Sequence, residues 1–351
     1  MRRGRRGPAL ASSVVDIVEL DAAAVADDAV MRDFYDISRR AELLGREQAP
    51  FWSWEEFVGA FRSDDSGERQ QLFAAYDGDR MVSCAALWSF LLDNTDKAFF
   101  SLDVDVPDRR RGFGRAMLER IEQVTKDDGR SLVLTDTKLP FDERETHGYR
   151  QFATACGYEL ANYEVVRHLR LPVPDDRIQE WIDEAAPRHE GYTVETFVDG
   201  VPDDLVESLC VLLGQLAVDA PTGAVDFDEE VMTPQRYAEN IGTAQAMGRS
   251  RFETLALTKD RLVAAQSTLV VPVTSTSTTV FQWGTFVHRE HRGHRLGLAT
   301  KAVNLRAAQA TRDDLALVVT QNAETNDYMV SINERMGFEP IEVATEFVKR
   351  L

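Results

Sequence analysis

Three short segments of this chain recur in the same order at nearly one spacing. Asp79-Arg80-Met81-Val82-Ser83 returns as Asp260-Arg261-Leu262-Val263-Ala264, 181 residues on. Arg109-x-x-Gly112-x-Gly114 returns as Arg292-x-x-Arg295-x-Gly297, 183 residues on. Gly157-Tyr158, running to Leu169-Arg170-Leu171, returns as Gly337-Phe338 running to Lys349-Arg350-Leu351, 180 residues on. One such match is short enough to arise by chance, whereas three in order at almost one offset point to two copies of a single fold. A chain of 351 residues, 44% apolar, has the length and the hydrophobic content for two cores.

The division that follows is a disordered basic tail over 1–12, an N-terminal domain over 13–172, a proline-bracketed linker with one short helix over 173–190, and a C-terminal domain over 191–351. Each copy shows the same order of patterns: a strand, two helices, three strands run together, a long helix, a strand, a helix and a last strand. In the first copy the third of the grouped strands is expected over 98–106, and in the second over 279–287. The TSTSTT run at 274–279 reads as a hairpin tip. The fold class is therefore α/β (α+β), as two mixed, mostly antiparallel sheets flanked by helices.

Net charge is −19, from 40 Lys and Arg against 59 Asp and Glu. So acidic a body repels phosphate backbones and anionic lipid, which argues against nucleic-acid or membrane partners. The three cysteines, Cys84, Cys156 and Cys210, are isolated, so neither a disulfide framework nor a Cys-based zinc site is expected. No apolar run is long enough to span a membrane, and the chain reads as cytoplasmic. His288, His291 and His294 recur every three residues but stand among Arg289, Arg292 and Arg295, where a cation is repelled, so no metal is expected.

Each copy has one turn where a strand meets a Gly- and Arg-rich loop and then a long helix: Val106-Pro107-Asp108-Arg109-Arg110-Arg111-Gly112-Phe113-Gly114 in the first, and Val287 through Arg292-Gly293-His294-Arg295-Leu296-Gly297-Leu298-Ala299 in the second. Glycines let backbone N–H groups approach a ligand closely, and a helix N-terminus adds partial positive charge. Together they suit a pyrophosphate. Neither loop has the GxGxxG of a dinucleotide fold.

These loops, with the surrounding order of elements, resemble the GCN5-related N-acetyltransferase (GNAT) superfamily, whose coenzyme A loop is R/Q-x-x-G-x-G/A. The first copy fits as Arg109-x-x-Gly112-x-Gly114, and in the second Arg295 replaces the first glycine. The stretch Thr320-x-Asn322-Ala323-Glu324-x-Asn326-x-x-Met329-x-x-Ile332-Asn333-Glu334-x-x-Gly337-Phe338 is similar to the family's end of the fold at nearly every position. The resemblance spans almost the whole chain, twice over, and implies acetyl-CoA as cosubstrate and transfer of its acetyl group to a primary amine by direct attack in a ternary complex. It implies that the Val287 backbone N–H meets the acetyl carbonyl, that Arg292, Gly293, His294, Arg295, Leu296, Gly297, Leu298 and Ala299 hold the pyrophosphate, and that Asn326 bonds the pantetheine arm. In the first copy it implies the same binding for Val106, Arg109, Arg111, Gly112 and Gly114.

Many members place a Tyr thiolate protonator where the second copy has Asn333 and the first has Ala153. Asn333 can stabilise a thiolate by hydrogen bonding, so the C-terminal copy is the one expected to be catalytic. The base is not apparent in that copy, since Phe281 and Gln282 stand where some relatives place a Glu. An acidic loop carrying Asp219, Asp226, Glu229 and Glu230, with Trp283 at the cleft, would suit a cationic small-molecule amine. A non-catalytic acyl-CoA-binding or regulatory protein is the alternative, and the acyl group can differ from acetyl. The fused copies are expected to act as a monomer or homodimer.

Overall fold

Alternating or continuous burial along the chain tracks how many faces of each strand are covered. The computed structural model describes residues 15–219 and 223–351. The expected basic tail and Ala220, Pro221 and Thr222 of the acidic loop lie outside the described residues. The N-terminal half runs β1 (Asp16–Leu20), α1 (Ala22–Ala26), α2 (Asp28–Glu42), α3 (Trp54–Phe61), β2 (Glu68–Asp77), β3 (Arg80–Phe90), β4 (Lys97–Val104), α4 (Phe113–Asp127), β5 (Leu132–Leu139), α5 (Gly148–Ala155) and β6 (Glu159–Arg170). A connecting helix, α6 (Asp175–Ala185), leads to the C-terminal half: β7 (Thr193–Val198), α7 (Asp203–Gly214), α8 (Leu216–Asp219), α9 (Pro234–Ala246), β8 (Arg249–Leu257), β9 (Val263–Pro272), β10 (Thr279–Val287), α10 (Leu296–Gln309), β11 (Leu317–Ala323), α11 (Asp327–Met336) and β12 (Glu339–Arg350). β9, buried at every position, is covered on both faces.

The two expected sheets are one. Among the described residues the strands form a single 12-stranded sheet in the order β1-β2-β3-β4-β5-β12-β6-β11-β10-β9-β8-β7. The last strands are exchanged: β12 pairs with β5 of the first half, and β6 pairs with β11 of the second. β12 and β6 then pair with each other, antiparallel, and close the seam. The duplication explains why this is available. Equivalent strands carry equivalent patterns, so either completes either edge, as in domain swapping.

The connecting helix is more than a spacer. Ile178, Trp181 and Ala185 on its inner face are buried in the core that α10 and β9 also build. Thr274 to Ser277 do form the turn between β9 and β10, as expected. The strand expected over 98–106 ends at Val104, because Pro107 cannot donate to a sheet ladder and the chain turns through a 3-10 segment, Val106–Asp108. Val106 is therefore not a strand residue. The residue equivalent to Val287, the last of β10, is Val104.

Candidate functional site

In each half one pair of parallel strands starts together and then separates. β4 and β5 pair at Lys97 with Leu132, Ala98 with Val133 and Phe99 with Leu134, and no further. Beyond Phe99, β4 stays with β3, while β5 stays with β12. The wedge holds a cavity of about 440 Å³. Its apolar floor includes Phe100, Leu118, Tyr158 and Phe347, the last brought by the exchanged strand β12.

The mouth of this cavity is the first Gly-Arg loop. Gly112, the N-cap of α4, has φ 98°, and Arg110 has φ 65°, so the chain turns sharply into a helix whose first amides no side chain caps. A Cβ at Gly114 would lie 3.1 Å from Val104 Cγ2, so any larger residue must push that side chain aside where the helix comes this close to the strand. Arg109 donates to the Val104 carbonyl (3.2 Å) and to the Tyr149 hydroxyl (2.9 Å). Arg111 is held by Asp77 and Asp108. Among the described residues Arg109, Arg110 and Arg115 meet no carboxylate in an ion pair, and all three line the cavity. Uncapped amides, a closely packed glycine and three guanidinium groups without an ion-pair partner among the described residues, at the end of an apolar slot, fit the phosphates and pantetheine arm of a coenzyme A ester.

The wall that adjoins this loop is acidic. Glu42, Asp103 and Asp136 line the cavity with Arg46 and Lys138. Burial, reinforced by the nearby Glu42 carboxylate, pushes the Asp103 carboxyl up to about 8. Arg46 donates to the Glu42 carboxylate (2.7 Å) and makes a two-pronged pair with Glu342 of β12 (2.6 and 2.7 Å). Tyr149 donates to the Ala41 carbonyl (2.7 Å), and burial pushes its phenol up. Sequence reasoning missed this group. Asp103 was readable as a carboxylate within the strand run Ser-Leu-Asp-Val, but Glu42 and Arg46 come from a distant helix with no local signal.

The C-terminal half repeats the wedge and fills it differently. β10 and β11 pair only from Thr279 with Leu317 to Phe281 with Val319 before separating. Arg295, in the place of Gly112, adopts φ 54°, which costs a non-glycine residue roughly 1–2 kcal/mol. Gly297 is tightly packed, with a Cβ there falling 3.1 Å from Ile332 Cδ1. Leu296, Leu298 and Ala299 are buried, and Gly293 turns at φ 84°. The loop arginines are already paired: Arg289 and Arg292 share Asp219 (2.5 and 2.6 Å), and Arg295 shares Glu184 with Arg335. His294 contacts the Arg188 carbonyl and His291 the Tyr192 hydroxyl.

Asn333 has no exposure. Its Oδ1 accepts from Lys301 (3.0 Å) and its amide donates to Asn322 (3.0 Å). Asn326 is the N-cap of α11, accepting from the Met329 amide at 3.2 Å. Val287 ends β10, beside Gly297. The residues expected to form the acceptor site are not gathered there. Asp219 is taken up by Arg289 and Arg292, Glu230 pairs with Arg236 (3.3 Å), and the segment carrying Asp226 and Glu229 lies against the N-terminal half, where Asn94 accepts from the Asp228 amide (2.9 Å). Trp283 is exposed at an irregularity of β10. Among the described residues no group of three or more His, Cys, Asp or Glu is placed to hold a metal ion, and no helix is long and apolar enough to cross a membrane.

Two copies of one order of elements joined in a single mixed sheet, each with one splayed parallel pair opening on the start of a long helix, define a tandem GNAT fold. Solved structures carry the same architecture. A tandem GNAT protein from the clavulanic acid biosynthesis pathway, determined without acetyl-CoA, superposes with a TM-score of 0.73 at 22% identity over 96% of this chain and 98% of its own. A GCN5-related N-acetyltransferase from Sphaerobacter thermophilus gives a TM-score of 0.61 at 16% identity, covering 95% of each chain. The GCN5-related glucosamine N-acetyltransferase region of a fungal multi-domain β-N-acetylglucosaminidase gives 0.65 at 14% identity, over 96% of this chain and 38% of that longer one. Neither a protein-family model nor a curated protein sequence matches the chain.

Proposed function

We propose that this protein is an acyl-CoA-dependent N-acyltransferase that holds its coenzyme in the N-terminal wedge and acylates a cationic primary amine there. This moves the chemistry from the C-terminal half, where the sequence led us to expect it. One observation carries the choice. The N-terminal wedge joins an open apolar cavity to arginines that meet no carboxylate in an ion pair and to Asp103 beside them, whereas in its C-terminal counterpart Lys301, Asn333 and Phe338 are buried at the equivalent positions and the loop arginines are tied to Asp219 and Glu184.

Acyl-CoA bound in this slot supplies an activated acyl thioester. The amides of the first turn of α4, with Arg109, Arg110 and Arg115, bind its phosphates, and the floor excludes water. Glu42, Asp103 and Asp136 attract an ammonium group, whose charge favours ionisation of Asp103. The Asp103 carboxylate then takes the proton that must leave before nitrogen can attack, and its raised pKa makes it a stronger base than an exposed Asp. Tyr149 is a proton donor on the same wall.

The test is calorimetric titration with acetyl-CoA, followed by thiol detection across a panel of amines. One site, with thiol release on adding amines, supports the reading. Binding without thiol release from any amine would favour an acyl-CoA store over an enzyme. No binding would overturn both.

A further inference from the structure

The two wedges differ at equivalent positions in a consistent direction. Leu118, Ala153 and Tyr158 all line the N-terminal cavity. Their counterparts, set by Gly114 and Gly297 in the first turns of α4 and α10 and by Gly157 and Gly337 after α5 and α11, are Lys301, Asn333 and Phe338. Lys301 runs from α10 to put its Nζ 3.0 Å from Asn333 Oδ1 and 4.9 Å from the centre of the Phe338 ring. The amine thus bridges the three positions that surround open space in the first half. Lys301, Asn333 and Phe338 are 1%, 0% and 4% exposed.

The strand exchange adds a fourth replacement. The first residues of β5 and β11 beyond their parallel pairing are Thr135 and Thr320. Opposite Thr135 stands Phe347, which lines the N-terminal cavity. Opposite Thr320 stands Arg167, which donates to Asn322 Oδ1 at 3.1 Å. An apolar floor in one half has become a connected polar network, Arg167–Asn322–Asn333–Lys301, in the other.

We propose that the C-terminal wedge is a second coenzyme A site held shut by the side chain of Lys301, so that the native chain takes up one acyl-CoA and shortening this one side chain opens a place for another. The inference rests on the N-terminal wedge being the working coenzyme site. It goes further in assigning a latent site to the other half and naming what fills it. The lysine has no carboxylate partner among the described residues, and its stem occupies the space between α10 and α11 through packing rather than ion pairing. Removal of the stem, not of the charge, is therefore what opens the wedge. Arg289 and Arg292 stay on Asp219, so the opened site binds less tightly than the first.

The experiment is equilibrium titration of the full chain with acetyl-CoA, carried to millimolar ligand, reading stoichiometry with thermal melting as the check on folding. Native protein is expected to bind one equivalent and Gly114→Glu none. Gly114→Glu with Lys301→Ala is expected to bind one, and Gly114→Glu with Lys301→Met, which keeps the volume of the stem, none. If the folded Gly114→Glu, Lys301→Ala protein binds nothing, the latent site is overturned and the N-terminal reading stands. If Gly114→Glu alone still binds one equivalent, the N-terminal reading itself fails. Should Lys301→Ala not fold, the native protein decides, because two equivalents bound without any change at Lys301 would overturn the closure.

Discussion

Lys301 Nζ lies 3.0 Å from Asn333 Oδ1 in the C-terminal half, at positions where the N-terminal half has Leu118 and Ala153. Burial alone pushes this amine down to about 7 from its ordinary 10.5. The unfolded chain then binds a proton that the folded chain does not, between about pH 7 and 10.5, so this group's contribution to stability rises with pH across that window. Lys301→Met removes the titration and keeps the volume. Its melting temperature is expected to exceed that of the native protein most at pH 6.5 or below, with the gap closing toward pH 10. Melting curves across this range check it, and a gap independent of pH would contradict the buried, unpaired amine.

Asp103 gives the corresponding prediction for activity. Its carboxyl is raised to about 8, so the free enzyme's base is increasingly available as pH climbs from 6 to 9. With saturating acyl-CoA, kcat/KM for the amine is expected to rise through that interval and then level. Asp103→Asn is expected to lose about 10²- to 10⁴-fold in kcat and to lose the rising limb, while acetyl-CoA affinity changes little. A profile that keeps its shape in Asp103→Asn would assign the base elsewhere.

Glycine substitutions separate the halves. Gly114→Glu puts bulk against Val104 and a negative charge at the uncapped turn, so acetyl-CoA binding is expected to disappear. Gly297→Glu meets Ile332 and Val287 and is expected to lower the melting temperature while leaving binding in place. Loss of binding in Gly297→Glu with survival in Gly114→Glu would return the coenzyme to the C-terminal half.

The duplication, the position of the two long helices α4 and α10 and the order of elements were legible in the sequence because each leaves a local mark: a repeated string, a Gly- and Arg-rich turn, a change of period. The strand exchange was not. β6 and β12 carry patterns that fit either edge, and nothing local says which partner each takes. The site was half legible for the same reason. Arg109, Gly112 and Gly114 sit where their motif puts them, but Asn333 matched a motif and turned out to be enclosed by Lys301, a contact between helices that no spacing encodes. Likewise the arginines of the C-terminal loop looked available until Asp219, some seventy residues earlier, was seen to bind them. Motifs report backbone requirements well, and they do not report what a distant side chain brings to neutralise or fill a site.

Arg46 and Glu342 tie the last strand of the chain to the acidic wall of the N-terminal wedge. Their side chains are 5% and 6% exposed, and two hydrogen bonds of 2.6 and 2.7 Å join them. Breaking such a pair strands a buried charge, which costs about 3–5 kcal/mol, whereas replacing both partners with apolar residues of similar size is close to neutral. Arg46→Met alone is expected to destabilise the protein by that amount in urea titration. Arg46→Met with Glu342→Leu is expected to recover most of the loss. The double variant also frees Glu42 from the cation that now fixes it beside Asp103, so its stability and its activity should part company: a near-native urea midpoint together with a shifted pH profile for kcat/KM. Recovery of both together would reduce the pair to a structural clasp, and recovery of neither would mean that the apolar residues do not pack in its place.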